Sequence, residues 1–182
     1  MTLEPVELRA RLVRAERAYE RGRALRAAIV ALSVASISVL VACLGGRVHT
    51  ALVLGAGLLV FSWFCLWRGQ TLGRTVFPGV VAGVVPLALA LAAQSYGHVC
   101  TASGCMSLCV PACAVGGGIA GFVVARASRF VEAKVTFIAA ASGLTMLVGS
   151  LGCSCVGYGG VVGLGLGLVG TLVPSALVLR RA

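Results

Sequence analysis

Downstream of Arg26 the chain consists almost wholly of long apolar runs, divided at near-regular intervals by short segments that hold Arg, Gly, Pro or Cys. A helix needs roughly 20 predominantly apolar residues to cross a bilayer. Stretches at about 26–45, 50–67, 75–95, 106–125, 135–153 and 159–179 each meet that requirement. The connections between them are short, which predicts that successive helices are antiparallel neighbours. The predicted fold class is therefore an all-α membrane protein: a six-transmembrane-helix bundle of three antiparallel hairpins over residues 26–182, preceded by a cytoplasmic arm over 1–25.

The polar residues orient this bundle. With alternating sides, one side receives Arg9, Arg11, Arg14, Arg17, Arg21, Arg23 and Arg26, then Arg68 and Arg74, then Arg126, Arg129 and Lys134, then Arg180 and Arg181, while the other receives only Arg47. Cytoplasmic loops carry the excess of Lys and Arg, so both termini are predicted inside (N-in/C-in). Four or five crossings would move Arg126 or the Arg180–Arg181 pair outside. A cleaved signal peptide is disfavoured because the basic region before the first apolar run exceeds twenty residues and also contains Glu4, Glu7, Glu16 and Glu20.

Composition agrees with this picture. Among the 182 residues 59% are hydrophobic and 11% charged, and the mean hydropathy is +1.05, which leaves too little polar surface to cover a water-soluble globule. The net charge of +10 is what basic flanks next to anionic lipid would give, so no nucleic-acid partner is implied. The chain has no Asp, and none of its five Glu residues falls in a predicted span, which disfavours ion-coupled transport. The loops are too short and too poor in acids and bases for an active site, so an enzyme is not expected.

Small residues every four positions let membrane helices approach closely. Gly79 and Gly83 form such a stripe, as do Gly117 and Gly121, and Gly159, Gly163, Gly167 and Gly170 form a longer one. These faces are predicted to be packing surfaces rather than transport sites. Self-association is left open. Pro86, in mid-span, is predicted to kink its helix for structural reasons.

Seven of the eight cysteines fall on or near the outer side: Cys43, Cys100, Cys105, Cys109, Cys113, Cys153 and Cys155. Cys105, Cys109 and Cys113 are four apart and are expected on one helix face. Disulfides or redox sensing among Cys100, Cys105, Cys109, Cys153 and Cys155 rank first, because an outward thiol meets an oxidising compartment. The alternative is a metal site in which His98, Cys100, Cys105 and Cys109 offer one nitrogen and three sulfurs to zinc or another thiophilic metal. Its spacing matches no standard zinc motif. No cofactor is otherwise expected. Cys43, Cys65 and Cys113 are read as small apolar residues packed within the bundle.

The arm reads as a helix over residues 3–25, with Thr2 as its cap, Pro5 in its first turn, and Glu4 and Glu7 at its positive end. Leu8, Leu12, Ala15 and Tyr19 line one stripe. The opposite face, with Arg9, Arg11, Arg14, Arg17 and Arg21, suits anionic lipid or an acidic cytoplasmic partner.

Leu108-Cys109-Val110-Pro111, the following Gly116-Gly117-Gly118 and Arg126, and Leu151-Gly152-Cys153 carry a resemblance, within the six-helix pattern, to the bacterial six-helix membrane anti-sigma regulators of the NrsF/DUF1109 type. The resemblance implies a bacterial inner-membrane protein whose arm, residues 1–26, holds a sigma factor, and whose outer cysteines, here Cys109 with Cys153, stabilise the bundle or sense redox state. The extra cysteines and the strongly basic arm depart from that pattern. The function expected is a multi-pass membrane regulator or scaffold. The alternative is a small channel or metal-handling transporter that uses the outer His/Cys segment.

Overall fold

The computed structural model describes residues 5–45, 48–96, 98–101, 104–153 and 158–181. They form helices α1 (Pro5–Gly45), α2 (Val48–Arg68), a single-turn α3 (Gln70–Gly73), α4 (Val76–Tyr96), α5 (Cys109–Ala127), α6 (Lys134–Cys153) and α7 (Tyr158–Arg181), with strands β1 (His98–Thr101) and β2 (Gly104–Ser107) between α4 and α5. Five helical segments are long and apolar enough to cross a membrane: Leu12–Leu40, Val48–Arg68, Thr71–Ala93, Cys109–Phe130 and Lys134–Gly152. A sixth, Gly159–Ser175, is apolar over a shorter run. The chain thus has the character of a multi-pass helical membrane protein.

Local chemistry explains where the elements begin and end. Ala24-Leu25-Arg26-Ala27-Ala28 are all strong helix formers, so nothing interrupts the backbone between the arm and the first apolar run, and α1 is one helix of 41 residues. At the far end of α2, Gly69 takes φ 62° and ψ −151°, a region that essentially only glycine occupies. It turns the chain into α3, and its N–H still closes the last turn of α2 by donating to the Cys65 carbonyl at 3.1 Å. Gly69→Ala is therefore expected to cost about 1–3 kcal/mol, measurable as a lowered unfolding midpoint of the purified chain in detergent.

Two expectations about this region change. The fourth span was expected from about residue 106, which would put Cys105 on a helix face with Cys109 and Cys113. Instead β1 and β2 pair antiparallel, with His98 opposite Ser107, Val99 opposite Met106, Cys100 opposite Cys105 and Thr101 opposite Gly104. α5 starts only at Cys109, with Pro111 in its first turn, where a missing N–H does no harm. Spacing of four is compatible with a helix but does not require one, and Gly104 and the β-branched Val99 and Thr101 favour the hairpin.

The second change concerns partners. α1 packs on α2, and α4 on α5, as consecutive hairpins would. α6, however, lies chiefly against α4, and α7 chiefly against α5, with only minor contact between α6 and α7. The expected third hairpin is thus split between two faces of the α4–α5 pair. α2 completes the assembly by touching α6.

Glycine explains why these pairings win. A Cβ at Gly79 would lie 2.9 Å from the Leu144 Cβ, and one at Gly83 would lie 2.6 Å from the Val148 Cβ, so α4 and α6 approach through the bare backbone of α4. Thr145 adds a polar clasp, donating from Oγ1 to the Gly79 carbonyl across the helix pair at 3.0 Å. On the other side, Gly117 and Gly121 press on the Leu164 and Leu168 carbonyls, while Gly163 and Gly167 face the Val110 and Ala114 carbonyls, so α5 and α7 are bare toward each other. Gly159 has only an ordinary contact with Val110, and Gly170 faces open space, so the packing stripe ends at Gly167. Pro86 in α4 is received by Gly116 of α5 and Gly149 of α6, which leaves room for its ring in the buried centre. Around it, three buried clusters fill the interior, centred on Leu58 and Leu144, on Val124 and Phe137, and on Ala90, Cys113 and Leu164.

Candidate functional site

Two places in the bundle collect chemistry that packing alone does not require. One lies around the cysteines near the β-hairpin, and the other at the basic end of the α1–α2 pair.

Register places Cys100 directly across from Cys105 in the hairpin. The side chains of His98, Cys100, Cys105 and Cys153, and all of Cys155, lie outside the described residues. Cys109, at the start of α5, is a buried free thiol. Cys65 is also a buried free thiol and sits in the cluster with Leu58 and Leu144, as a packed cysteine should. Cys113 is not a packed thiol: it is disulfide-bonded. Its sequence context had suggested otherwise because it sits one turn inside an apolar helix. Cys113 packs with Ala90 and Leu164. A Cβ at Gly152, the residue before Cys153, would lie 3.1 Å from the same Ala90. Cys113 and the end of α6 therefore flank one residue of α4. Among the described residues no group of three or more His, Cys, Asp or Glu side chains could hold a metal ion.

At the opposite end, α1 carries the arm. The side chains of Arg9, Arg14, Arg17 and Arg21 are exposed along it, and that of Arg11 lies outside the described residues. Leu12, Ala15 and Tyr19, members of the apolar stripe of the arm, are exposed too, and the side chain of Leu8 lies outside the described residues. Closer to the bundle, α1 meets the last turns of α2. There Trp63 and Trp67 stack with ring centroids 5.6 Å apart and planes within 5°, and the Arg68 guanidinium lies 5.4 Å from the centre of the Phe64 ring. Arg23 reaches across to Gly69, where any Cβ would collide with its guanidinium.

This aromatic and basic seam was not singled out from the sequence, although a signal existed. The only two tryptophans of the chain stand four residues apart, hence on one helix face, immediately before Arg68 at a predicted membrane boundary. That is the place where aromatic belts form.

A scan of known protein families, a search of curated proteins and a search of solved structures each gave no match for this chain.

Proposed function

We propose that the chain is a regulator or scaffold of a bacterial cytoplasmic membrane, crossing it six times with both termini inside and holding a cytoplasmic protein by its arm. The observation that carries this reading is α1: one unbroken helix over Pro5–Gly45 that is both a membrane-crossing segment and an exposed basic arm. At 1.5 Å per residue it is about 60 Å long, roughly twice the hydrocarbon thickness. Any displacement of the spanning half is transmitted to the exposed half without a joint. Arg68, Arg74, Arg126, Arg129 and Lys134 fall at or between the end of α2 and the start of α4, or the end of α5 and the start of α6, which is where an orientation with both termini inside would put them.

On this reading the outer cysteines hold the far end of the bundle. Cys113 pairs with Cys153, tying α5 to α6 beside Ala90, and the opposed Cys100 and Cys105 close the hairpin. The partner at the inner end is an acidic protein surface, of which a sigma factor is the candidate that the six-helix resemblance suggests. Full-length tagged protein, solubilised in mild detergent, should retain a specific cytoplasmic protein at low salt and lose it when Arg9, Arg14, Arg17 and Arg21 are all changed to Gln. If the same proteins are retained by the Gln variant, the arm has no such role and the partner-holding reading fails.

A further inference from the structure

We propose that the seam between α1 and the end of α2 is a binding site for one anionic phospholipid, with the headgroup phosphate at Arg23 and Arg26 and an acyl chain running along Val30, Leu66, Val76 and Phe77. The inference rests on the membrane reading of the bundle but not on the arm having a protein partner.

Two adjoining depressions carry it. The first, of about 370 Å³, is lined by Tyr19, Gly22, Arg23, Arg26, Val30 and Leu66, among others. It contains two guanidinium groups and no carboxylate. The second, of about 170 Å³, is lined by Val30, Val34, Leu66, Gly73, Val76, Phe77 and Val80, without one charged or hydroxyl side chain. Val30 and Leu66 belong to both, so the basic depression continues directly into the apolar one. The α1 residues involved, Tyr19, Arg23, Arg26, Val30 and Val34, recur every three or four positions and therefore follow one flank of the helix.

That order of chemistry, charge at the end of the bundle and hydrocarbon toward its middle, is the order found along a phospholipid. Guanidinium groups bind phosphate through paired N–H donors, and basic pockets between membrane helices on the cytoplasmic side take anionic headgroups. A free phosphate would use the first depression and leave the second without purpose. A peptide would bring backbone polar groups into the second, where nothing could satisfy them. Glu20 lines a neighbouring hollow together with Arg23, Trp67 and Arg68. It offsets one positive charge of the several gathered there, so the seam stays basic. Gly69 has a part in this as well, since its missing side chain gives the Arg23 guanidinium its place.

The full chain, purified in mild detergent and incubated with phosphatidylglycerol, phosphatidylcholine or inorganic phosphate, is examined by native mass spectrometry and by quenching of tryptophan fluorescence with bromine-labelled acyl chains. Trp67 borders the neighbouring hollow that Arg23 also lines, so quenching reports acyl chains next to the seam, while native mass spectrometry gives their number and class. The expected result is one phosphatidylglycerol retained in preference to phosphatidylcholine by roughly tenfold, with quenching. Arg23→Gln with Arg26→Gln should abolish the preference, and the exposed pair Arg129→Gln with Lys134→Gln should keep it. Arg26→Gln alone, at an exposed position, serves where the double variant does not fold, and should lose most of the preference. Equal retention of the two lipids, an equal loss in the Arg129/Lys134 control, or protection of the site by inorganic phosphate alone would each overturn the proposal. Recovery of the chain from cells without detergent would instead overturn the membrane reading on which it stands.

Discussion

Changing Gly167 to alanine is expected to lower the stability of the bundle by about 1–3 kcal/mol, while the same change at Gly170, three residues further along α7, should leave it unchanged or raise it by up to about 1 kcal/mol. The two sites share a helix, a residue type and the same gain in helix propensity. They differ in what a methyl group would meet. At Gly167 it would run into the Ala114 carbonyl oxygen and sit 3.0 Å from the Gly118 nitrogen, both backbone atoms of α5, which cannot rotate away. The helices must separate, and separation also loosens Gly117 on Leu164 and Gly121 on Leu168. At Gly170 there is nothing within 4 Å. Equilibrium unfolding of the purified chain in mixed detergent micelles compares the three proteins directly. Equal destabilisation by both substitutions would mean that α5 and α7 are not in backbone contact.

Reduction is expected to have the second large effect. Cys113 is disulfide-bonded within a buried cluster of α4, α5 and α7 residues, and losing a native disulfide typically costs about 2–5 kcal/mol. Cys113→Ser should reproduce most of the loss seen with reductant, and the response to reductant that remains should be only the share of the proposed Cys100–Cys105 bond. Cys109→Ser should not, because Cys109 is a free thiol in the structure. Peptide mapping without reductant should recover Cys113 joined to Cys153. A Cys113 linkage to Cys155, Cys100 or Cys105 would retain the stabilising role but refute the pairing proposed above. Full alkylation of Cys113 in the unfolded, unreduced chain would refute the disulfide itself.

Much of the fold was legible in the sequence because a bilayer imposes a single length on every element. The apolar runs from about 50, 75, 135 and 159 each begin within two residues of α2, α4, α6 and α7, whereas the run from 106 begins three residues before α5 and the run from 26 is only the second half of α1, which starts at Pro5. The glycine stripes at Gly79 and Gly83, at Gly117 and Gly121, and at Gly163 and Gly167 marked faces that do contact neighbours. What the stripes could not reveal is which neighbour. A bare glycine surface has no side chain to specify a partner, so that α7 would choose α5 over α6 was decided by the match between two bare faces. The cysteines misled for a different reason. Cys105, Cys109 and Cys113 keep helical spacing across a boundary between strand and helix, and spacing has no means of registering the boundary. Cys113, deep in an apolar context, looked like packing when it was a crosslink. The basic seam was missed because Arg23 and Arg26 were counted for orientation, where only their number mattered, and not for the hollows they line, Arg26 with Leu66 and Arg23 also with Trp67 and Arg68.

The indirect attachment of α1 has a consequence for how the molecule is made. α1 rests mainly on α2, and α2 reaches the remaining helices mainly through α6, where Phe61 lies 3.3 Å from the place of a Cβ on Gly143 and Leu147 lies 3.8 Å from one on Gly57. During synthesis from the N-terminus, α1 and α2 are complete well before α6 emerges. For that interval the pair must stand alone in lipid, held by its own contacts, with the α6-facing side of α2 covered only by acyl chains. The remaining four helices close in turn, and the last to arrive, α7, seals onto α5. The bundle is thus assembled around a late joint, and enlarging Gly143, where even a Cβ would lie 3.3 Å from Phe61, should weaken the contact through which the first two helices meet the rest, while Gly57→Ala should not.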